Sequence, residues 1–388
     1  MPILSRRTWL RGVAALSLSQ TFLRRSLFGA MTMQKKRVFV GTYTKSTSHG
    51  IYAYDWNSDS GELKEIGVAI ATPDPSFLAL SPDGKNIYAV NELDAVAGSN
   101  KETGTVSSFA VASDARLTLH NTVPSGGNAP CNMAVDHTGR ALFVANYTSG
   151  SVSSYQISED EKLSTHVENI HYSGHSVGVR QKSAHTHCTT VSPDNRFLLV
   201  NDLGLDRIMV YRISPATAEI TPNDPPFYSA IPGSGPRNFT FHPNHKWAYS
   251  LNEIASTIDA LHWGAENGTL TRVQNLSTLA HPFAGTNTAA TVLVHPNGRF
   301  VYASNRGDDS MVVYSVDQAT GALTLLQHIS CGGKTPRNFI LDPSGRWVLI
   351  ANQDSANIVV LQCDAKSGHL SATGRQYALD SPVCIIFA

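Results

Sequence analysis

Short apolar or alternating runs of about four to eight residues, the length of β-strands, recur along the chain and are cut by turns rich in Gly, Pro, Asn and Asp. One unit repeats most clearly: a turn that leads into an apolar strand ending in a polar pair. Its copies are SPDGKNIYAVNE (81–92), DHTGRALFVANY (136–147), SPDNRFLLVNDL (192–203), HPNHKWAYSLNE (242–253), HPNGRFVYASNR (295–306) and DPSGRWVLIANQ (342–353). They begin about fifty residues apart, the length of one four-stranded propeller blade. A seventh such strand, VFVGTYT (38–44), lacks the preceding turn.

A short apolar strand runs into each turn: PSFLAL, PCNMAV, HCTTV, PRNFTF, AATVLV and PRNFIL. Its seventh copy lies at the far end of the chain, PVCIIFA (382–388). With these as strands A and the first set as strands B, an alternating strand C follows each B, for example GIYAYDW and SMVVYSV. A strand D follows, often opening on a Gly that permits the turn, as in GELKEI and GTLTRV. The pattern predicts an all-β, seven-bladed β-propeller of four-stranded blades. The N-terminal segment supplies strands B, C and D of one blade and the C-terminal segment its strand A, which closes the ring and protects its edges.

Composition agrees with short strands and tight turns: charged residues are only 15% of the 388, against about 25% in a typical protein. Thirty basic and thirty acidic residues leave no net charge, so no global field would recruit nucleic acid or an anionic membrane. Any anion site is local. The five cysteines, Cys131, Cys188, Cys331, Cys363 and Cys384, are dispersed without a Cys-x-x-Cys pair. That argues against a disulfide framework and a structural zinc site and predicts buried apolar thiols.

Residues 1–30 read as a targeting segment, 31–37 as a linker and 38–388 as one propeller domain. Ser5-Arg6-Arg7-Thr8-Trp9-Leu10-Arg11 resembles a twin-arginine export signal, followed by a modest apolar run from Gly12 to Leu23 that is too short for a stable membrane span. Periplasmic export is the expectation, with no integral membrane segment in the mature protein; a start at Met31 or Met33 would instead make it cytoplasmic. A monomer is compatible with the sequence.

Strands A and B are consecutive and antiparallel, so A starts and B ends meet at one end of the central channel. Polar and ionisable residues gather at those positions: Asn132, His185, His187, Arg237-Asn238 and Arg337-Asn338 at A starts, and Asn91-Glu92, Asn146-Tyr147, Asn201-Asp202, Asn252-Glu253 and Asn305-Arg306 at B ends. Asn at repeated B ends suits turn capping. Arginines converging on one channel mouth would repel unless Glu253, Asp202 or an anionic ligand compensated them, and Arg suits bidentate recognition of carboxylate or phosphate. His185 and His187, two apart on an incipient strand, are expected to share a face. No metal-ligand spacing accompanies them, so neither metal nor cofactor is expected. A neutral histidine beside a carboxylate reads as a general base or acid.

FVGTYT (39–44), Arg180-Gln181 ahead of His185-Thr186-His187, DLGLDRI (202–208), GPRNFTFHP (235–243), LNE (251–253), SNRGDDS (304–310) and TPRNF (335–339) carry a family resemblance. From about Val38 to Ala388 the chain resembles the seven-bladed propeller lactonases, which include bacterial 6-phosphogluconolactonase and are related to fungal carboxy-muconate lactonising enzymes. The resemblance implies a site with the family's His at His187, its arginines at Arg237 and Arg306, and its Glu at Glu253. Arg180, His185, Arg337, Asn132, Asn238 and Asp202 are the expected substrate-binding residues around it. Two positions depart from the common pattern: Asn238 stands where many members have His, and Thr291 where many have an acidic residue. The implied activity is opening of a sugar lactone or small acidic lactone. Muconate-type lactonisation is one alternative, and a non-catalytic propeller that binds a ligand or protein in the cell envelope is another.

Overall fold

Among the described residues, twenty-eight strands pair into seven antiparallel sheets of four. The computed structural model describes residues 36–94 and 103–388; the expected signal segment and residues 31–35 of the expected linker lie outside the described residues. Strand A of blade 1 is Pro382–Phe387, and its partners B, C and D are Lys36–Thr42, Gly50–Asn57 and Glu62–Ala71. The other six blades follow in chain order, with inner strands at Phe77–Leu80, Pro130–Val135, Thr186–Val191, Pro236–Phe241, Thr288–Val294 and Pro336–Leu341. Each strand A lies against strand A of the next blade, all the way round to blade 1. This is a seven-bladed propeller with the A strands around the axis.

Closure is made by main chain. Val38 to Gly41 pair with Phe387 to Cys384, and beyond them the Arg37 N–H donates to the Ala388 carbonyl at 3.1 Å while Ala388 N–H returns the bond at 2.9 Å. The first strand begins at Lys36, two residues ahead of the expected Val38. Among the described residues no helix is long and apolar enough to cross a membrane.

The core is divided among the junctions between blades. Seven apolar clusters each join one blade to its neighbour, for instance Tyr302 and Met311 of blade 6 with Phe339 and Ile350 of blade 7. Strands B and C are therefore buried on both faces, which explains why B reads as a continuous apolar run. Cutting a fully buried side chain such as Ile350 to Ala costs about 2–5 kcal/mol. All five cysteines are buried and free.

Polar bonds tie the blades together at both ends. At the Asn-bearing B ends, Asn146 Nδ2 donates to the Ser125 carbonyl and Asn305 Nδ2 to the Thr278 carbonyl, each just past the last strand of the preceding blade. At the opposite end the HP turns do more than reverse the chain. His242 accepts the Asn244 N–H on Nδ1 at 3.1 Å and donates from Nε2 to the Gly298 carbonyl of the next blade at 2.6 Å; His295 does the same toward Gly345 at 3.0 Å.

Candidate active site at the channel mouth

The inner strands depart from regular pairing near their starts. Register shifts skip Cys131, His187, Arg237, Arg337 and Val383, and in blade 6 Ala290 and Thr291 oppose one residue. A β-bulge frees its extra residue from the ladder and re-aims the side chain. Here the freed residues turn toward the axis: Cys131, His187, Arg237, Thr291, Arg337 and Val383 line the channel together with Phe77 of blade 2. A second ring stands above them at the B ends, where Tyr43, Glu92, Tyr147, Asp202, Glu253 and Arg306 follow or close strand B in their blades.

Between the rings lies a mouth cavity of about 190 Å³, lined by Glu92, Cys131, Tyr147, Arg180, His187, Glu253, Arg306 and Arg337. Glu253, only 3% exposed, is its electrostatic centre. Its Oε2 meets Arg237 Nε at 2.7 Å, an ion pair not aligned as a hydrogen bond, and Arg306 Nη2 at 2.8 Å. Its Oε1 accepts from Arg180 Nη2 at 2.6 Å. Arg237 also donates through Nη1 to the Ala290 carbonyl, and Arg306 bonds Thr288 and Ala289. Arg180 comes from a tight turn rather than from a blade. Gln181 pins that turn, accepting the Gly178 N–H at 2.9 Å and donating to the Leu203 carbonyl at 2.8 Å.

A second carboxylate faces the first. Glu92 accepts from Tyr43 Oη at 2.9 Å and pairs with Arg337 Nη2 at 3.5 Å, while the Arg337 guanidinium lies over the Tyr43 ring. The site thus holds four guanidiniums, Arg180, Arg237, Arg306 and Arg337, against two carboxylates.

These charges set the protonation of the group between them. Burial would raise the Glu253 pKa, but Arg306 and Arg237 outweigh it and hold the carboxyl well below its ordinary range. His187 Nε2 is 4.0 Å from Glu253 Oε2. Burial and then Arg237, Arg337 and Arg306 push the His187 pKa well below 6.5, against the opposing pull of Glu253. The imidazole is neutral at pH 7 and offers a lone pair. Cys131 Sγ lies 3.8 Å from its Nδ1, but burial and Glu92 hold the thiol protonated, so it is no thiolate nucleophile.

The structure brings His187, Glu253, Arg237, Arg306, Arg180 and Arg337 together. The other expected residues stand outside the mouth cavity, Asn132 and Asn238 lining the space one layer deeper. His185 stacks behind Tyr147 with ring centroids 4.7 Å apart, while His187 meets the same ring edge-on; the bulge gives the two histidines separate directions instead of one shared face. Asp202 is wholly buried, and its Oδ1 accepts the backbone N–H groups of His185 and Leu205. Asn132 and Asn238 use their amide oxygens to accept the Thr189 and Val292 N–H groups of the next blade. Glu92 and Tyr147, noted at B ends but not among the expected site residues, line the mouth, and Tyr43 shapes it from the same B-end position.

The family of seven-bladed β-propeller lactonases has a model that matches residues 37–387. The chain belongs to this family. It is 35% identical over 296 residues to a 6-phosphogluconolactonase of Formosa agariphila, covering 74% of this chain and 81% of that one. A 6-phosphogluconolactonase of Bacillus subtilis is 29% identical over 296 residues, covering 76% and 82%. Among solved structures, a putative 6-phosphogluconolactonase of Bacteroides fragilis superposes with a TM-score of 0.86 at 32% identity, covering 92% of this chain and 99% of that one. The periplasmic gluconolactonase of Pseudomonas aeruginosa gives a TM-score of 0.85 at 32% identity, covering 91% and 99%. As a member of the lactonase family, the chain is an enzyme whose general chemistry is lactone hydrolysis.

Proposed function

We propose that the channel mouth hydrolyses a sugar lactone or a small acidic lactone, with His187 as general base. The observation that carries this reading is one buried neutral imidazole on a small cavity that it shares with Arg180, Arg306, Arg337, Glu92 and Glu253, with Arg237 paired to Glu253 from the layer below. The excess of positive charge suits a substrate anion, the oxyanion that forms when water adds to the carbonyl, or both in turn.

In the proposed cycle the water oxygen bonds to the lactone carbonyl carbon while its proton passes to His187. The carbonyl π electrons move onto oxygen, where Arg306 stabilises them. Collapse breaks the ring C–O bond, and the departing ring oxygen takes the proton back from the imidazolium, leaving a hydroxy acid. The low pKa of His187 suits this relay, because the imidazolium does not persist. Arg237 and Arg180 position Glu253, which lies close enough to favour the transient imidazolium. Arg337, whose carboxylate partner stands at 3.5 Å, is the guanidinium best placed to hold a substrate anion.

The twin-arginine-like residues 5–11 and the likeness to a periplasmic gluconolactonase support export, and hence an unphosphorylated lactone. A panel of sugar and acidic lactones, followed by acid release without any cofactor, tests the reaction. His187→Ala is expected to lower kcat/KM on the best substrate by about 10²–10⁴-fold, the usual contribution of a general base, with little change in melting temperature. Unchanged kcat/KM would make His187 structural. Ligand-dependent thermal stabilisation without turnover would favour a binding module.

A further inference from the structure

Beneath the mouth cavity the bulge ring encloses a second, smaller chamber of about 30 Å³. His187, Cys131 and Arg337 line both spaces, so the two meet at these side chains. A water needs roughly 10–15 Å³ of such space and two to four polar partners. The chamber therefore has room for about two waters, and its lining is largely polar: Arg237, Arg337 and the amides Asn132, Asn238 and Asn338, closed by Phe77 and Val383. The three amide oxygens are committed to N–H groups of the neighbouring blades, Thr189, Val292 and Ile385. What these asparagines can still offer the chamber is N–H.

We propose that this inner chamber is the binding site of the hydrolytic water. It rests on the lactonase reading above. An amide or guanidinium donor would occupy one lone pair of a water held there, leave the other for the carbonyl carbon, and turn its protons toward acceptors. The lining offers three: the neutral ring of His187, the Thr291 hydroxyl, which itself donates to the Arg337 carbonyl at 3.0 Å, and the Ser76 hydroxyl, buried with no hydrogen-bond partner. A lactone seated in the mouth covers the solvent side of His187. The water is thus loaded first, and it meets the substrate beside the His187 ring, where the two spaces join. The dispersal of polar inner-strand residues acquires a purpose: those at the mouth face the lactone and those one layer deeper hold its co-substrate.

Two experiments decide this. A high-resolution crystal structure of the wild-type protein is expected to show an ordered water in the inner chamber within hydrogen-bond reach of the His187 ring; a dry chamber overturns the proposal. Val383→Met, which fills the chamber without touching the mouth cavity, is expected to lower kcat about tenfold or more with KM within about twofold, the signature of a lost reactant rather than a lost substrate contact. An unchanged kcat with the chamber filled overturns it, even if the water is present, since that water is then structural. Should Val383→Met fail to fold, Thr291→Val removes one acceptor at constant shape and is held to the same kcat and KM outcome. If the wild type turns over no lactone, the lactonase reading fails and the hydrolytic role with it, while the wild-type crystal still shows whether the chamber binds water.

Discussion

Replacing Glu253 by Gln keeps the shape of the side chain and removes the charge on which three guanidiniums converge. Arg237 and Glu253 are 4% and 3% exposed, so water cannot take over the lost partner. Breaking a buried ion pair by removing one member costs about 3–5 kcal/mol, because the remaining charge stays buried. Unfolding entropy near the melting temperature is about 2.1 cal/mol/K per residue; over Lys35–Ala388 this gives roughly 0.7 kcal/mol/K. The expected fall in melting temperature at pH 7 is therefore about 4–7 °C. Asp83→Asn, at the exposed pair with Lys85, is expected to move it by no more than about 1 °C. The effect carries a pH signature. The folded-state pKa of Glu253 is held below its ordinary 4.5, so its contribution is complete above that pH and is lost as pH falls below it. The gap between wild type and Glu253→Gln should narrow in acid. Calorimetry from pH 8 to pH 3 measures both; a drop within about 1 °C at pH 7, or a gap independent of pH, would refute the central role given to this carboxylate.

The same substitution acts on turnover. Glu253 raises the His187 pKa against burial and the arginines, so the acid limb of kcat/KM, already below pH 6.5 in the wild type, should move lower still in Glu253→Gln; a limb that rises would contradict the assignment. Arg306→Ala should lower kcat on the best lactone by about 10²-fold if it stabilises the oxyanion, and a change confined to KM would make it an anchor. Deleting residues 382–388 removes the inner strand of blade 1 and leaves Lys36–Thr42 with an open edge, so the truncated chain should aggregate or lose its cooperative melt; an unchanged melting temperature would contradict the closure. For export, Arg6→Lys with Arg7→Lys should leave precursor in the cytoplasm while the wild type is processed outside it, as fractionation and immunoblotting would show; equal distribution would favour a late start.

Much of the architecture was legible because a propeller writes itself as a local repeat. Six blades carry their own turn ahead of the apolar B strand, four open strand D after a Gly, and PVCIIFA at one end of the chain answers VFVGTYT at the other. The candidate site was legible at coarser grain. Antiparallel pairing of A with B is enough to put His187, Arg237 and Arg337 at the same end as Glu253 and Arg306. Finer detail depends on contacts between blades that no local pattern encodes. The oxygen of Asn238 accepts the Val292 N–H, more than fifty residues away, so half of an amide that reads as a substrate contact serves the scaffold and only its N–H faces the chamber. Asp202 shares the B-end position of Glu253, yet its carboxyl receives backbone N–H groups from the turns around His185 and Leu205. Glu92, at the same position in blade 2, faces the cavity because Arg337 and Tyr43 from blades 7 and 1 are there to receive it.

The bulges show why a site of this charge can exist inside an inner strand at all. In regular alternation every second residue of strand A would point along the axis, and seven strands would crowd the channel with side chains of equal depth. One extra residue per strand, at the same level in six of seven blades, concentrates the inward-pointing groups in a single ring and leaves the rest of each strand to pair and pack. The residue at that level carries little structural load, since its neighbours make the ladder bonds on either side. It is free to be Cys131, His187, Arg237 or Arg337 without disturbing the blade. The bulge thus places part of the candidate site at a position outside the ladder, and the cost of burying Arg237, Arg306 and Arg337 is met locally, by Glu253 on one side of the mouth and Glu92 on the other.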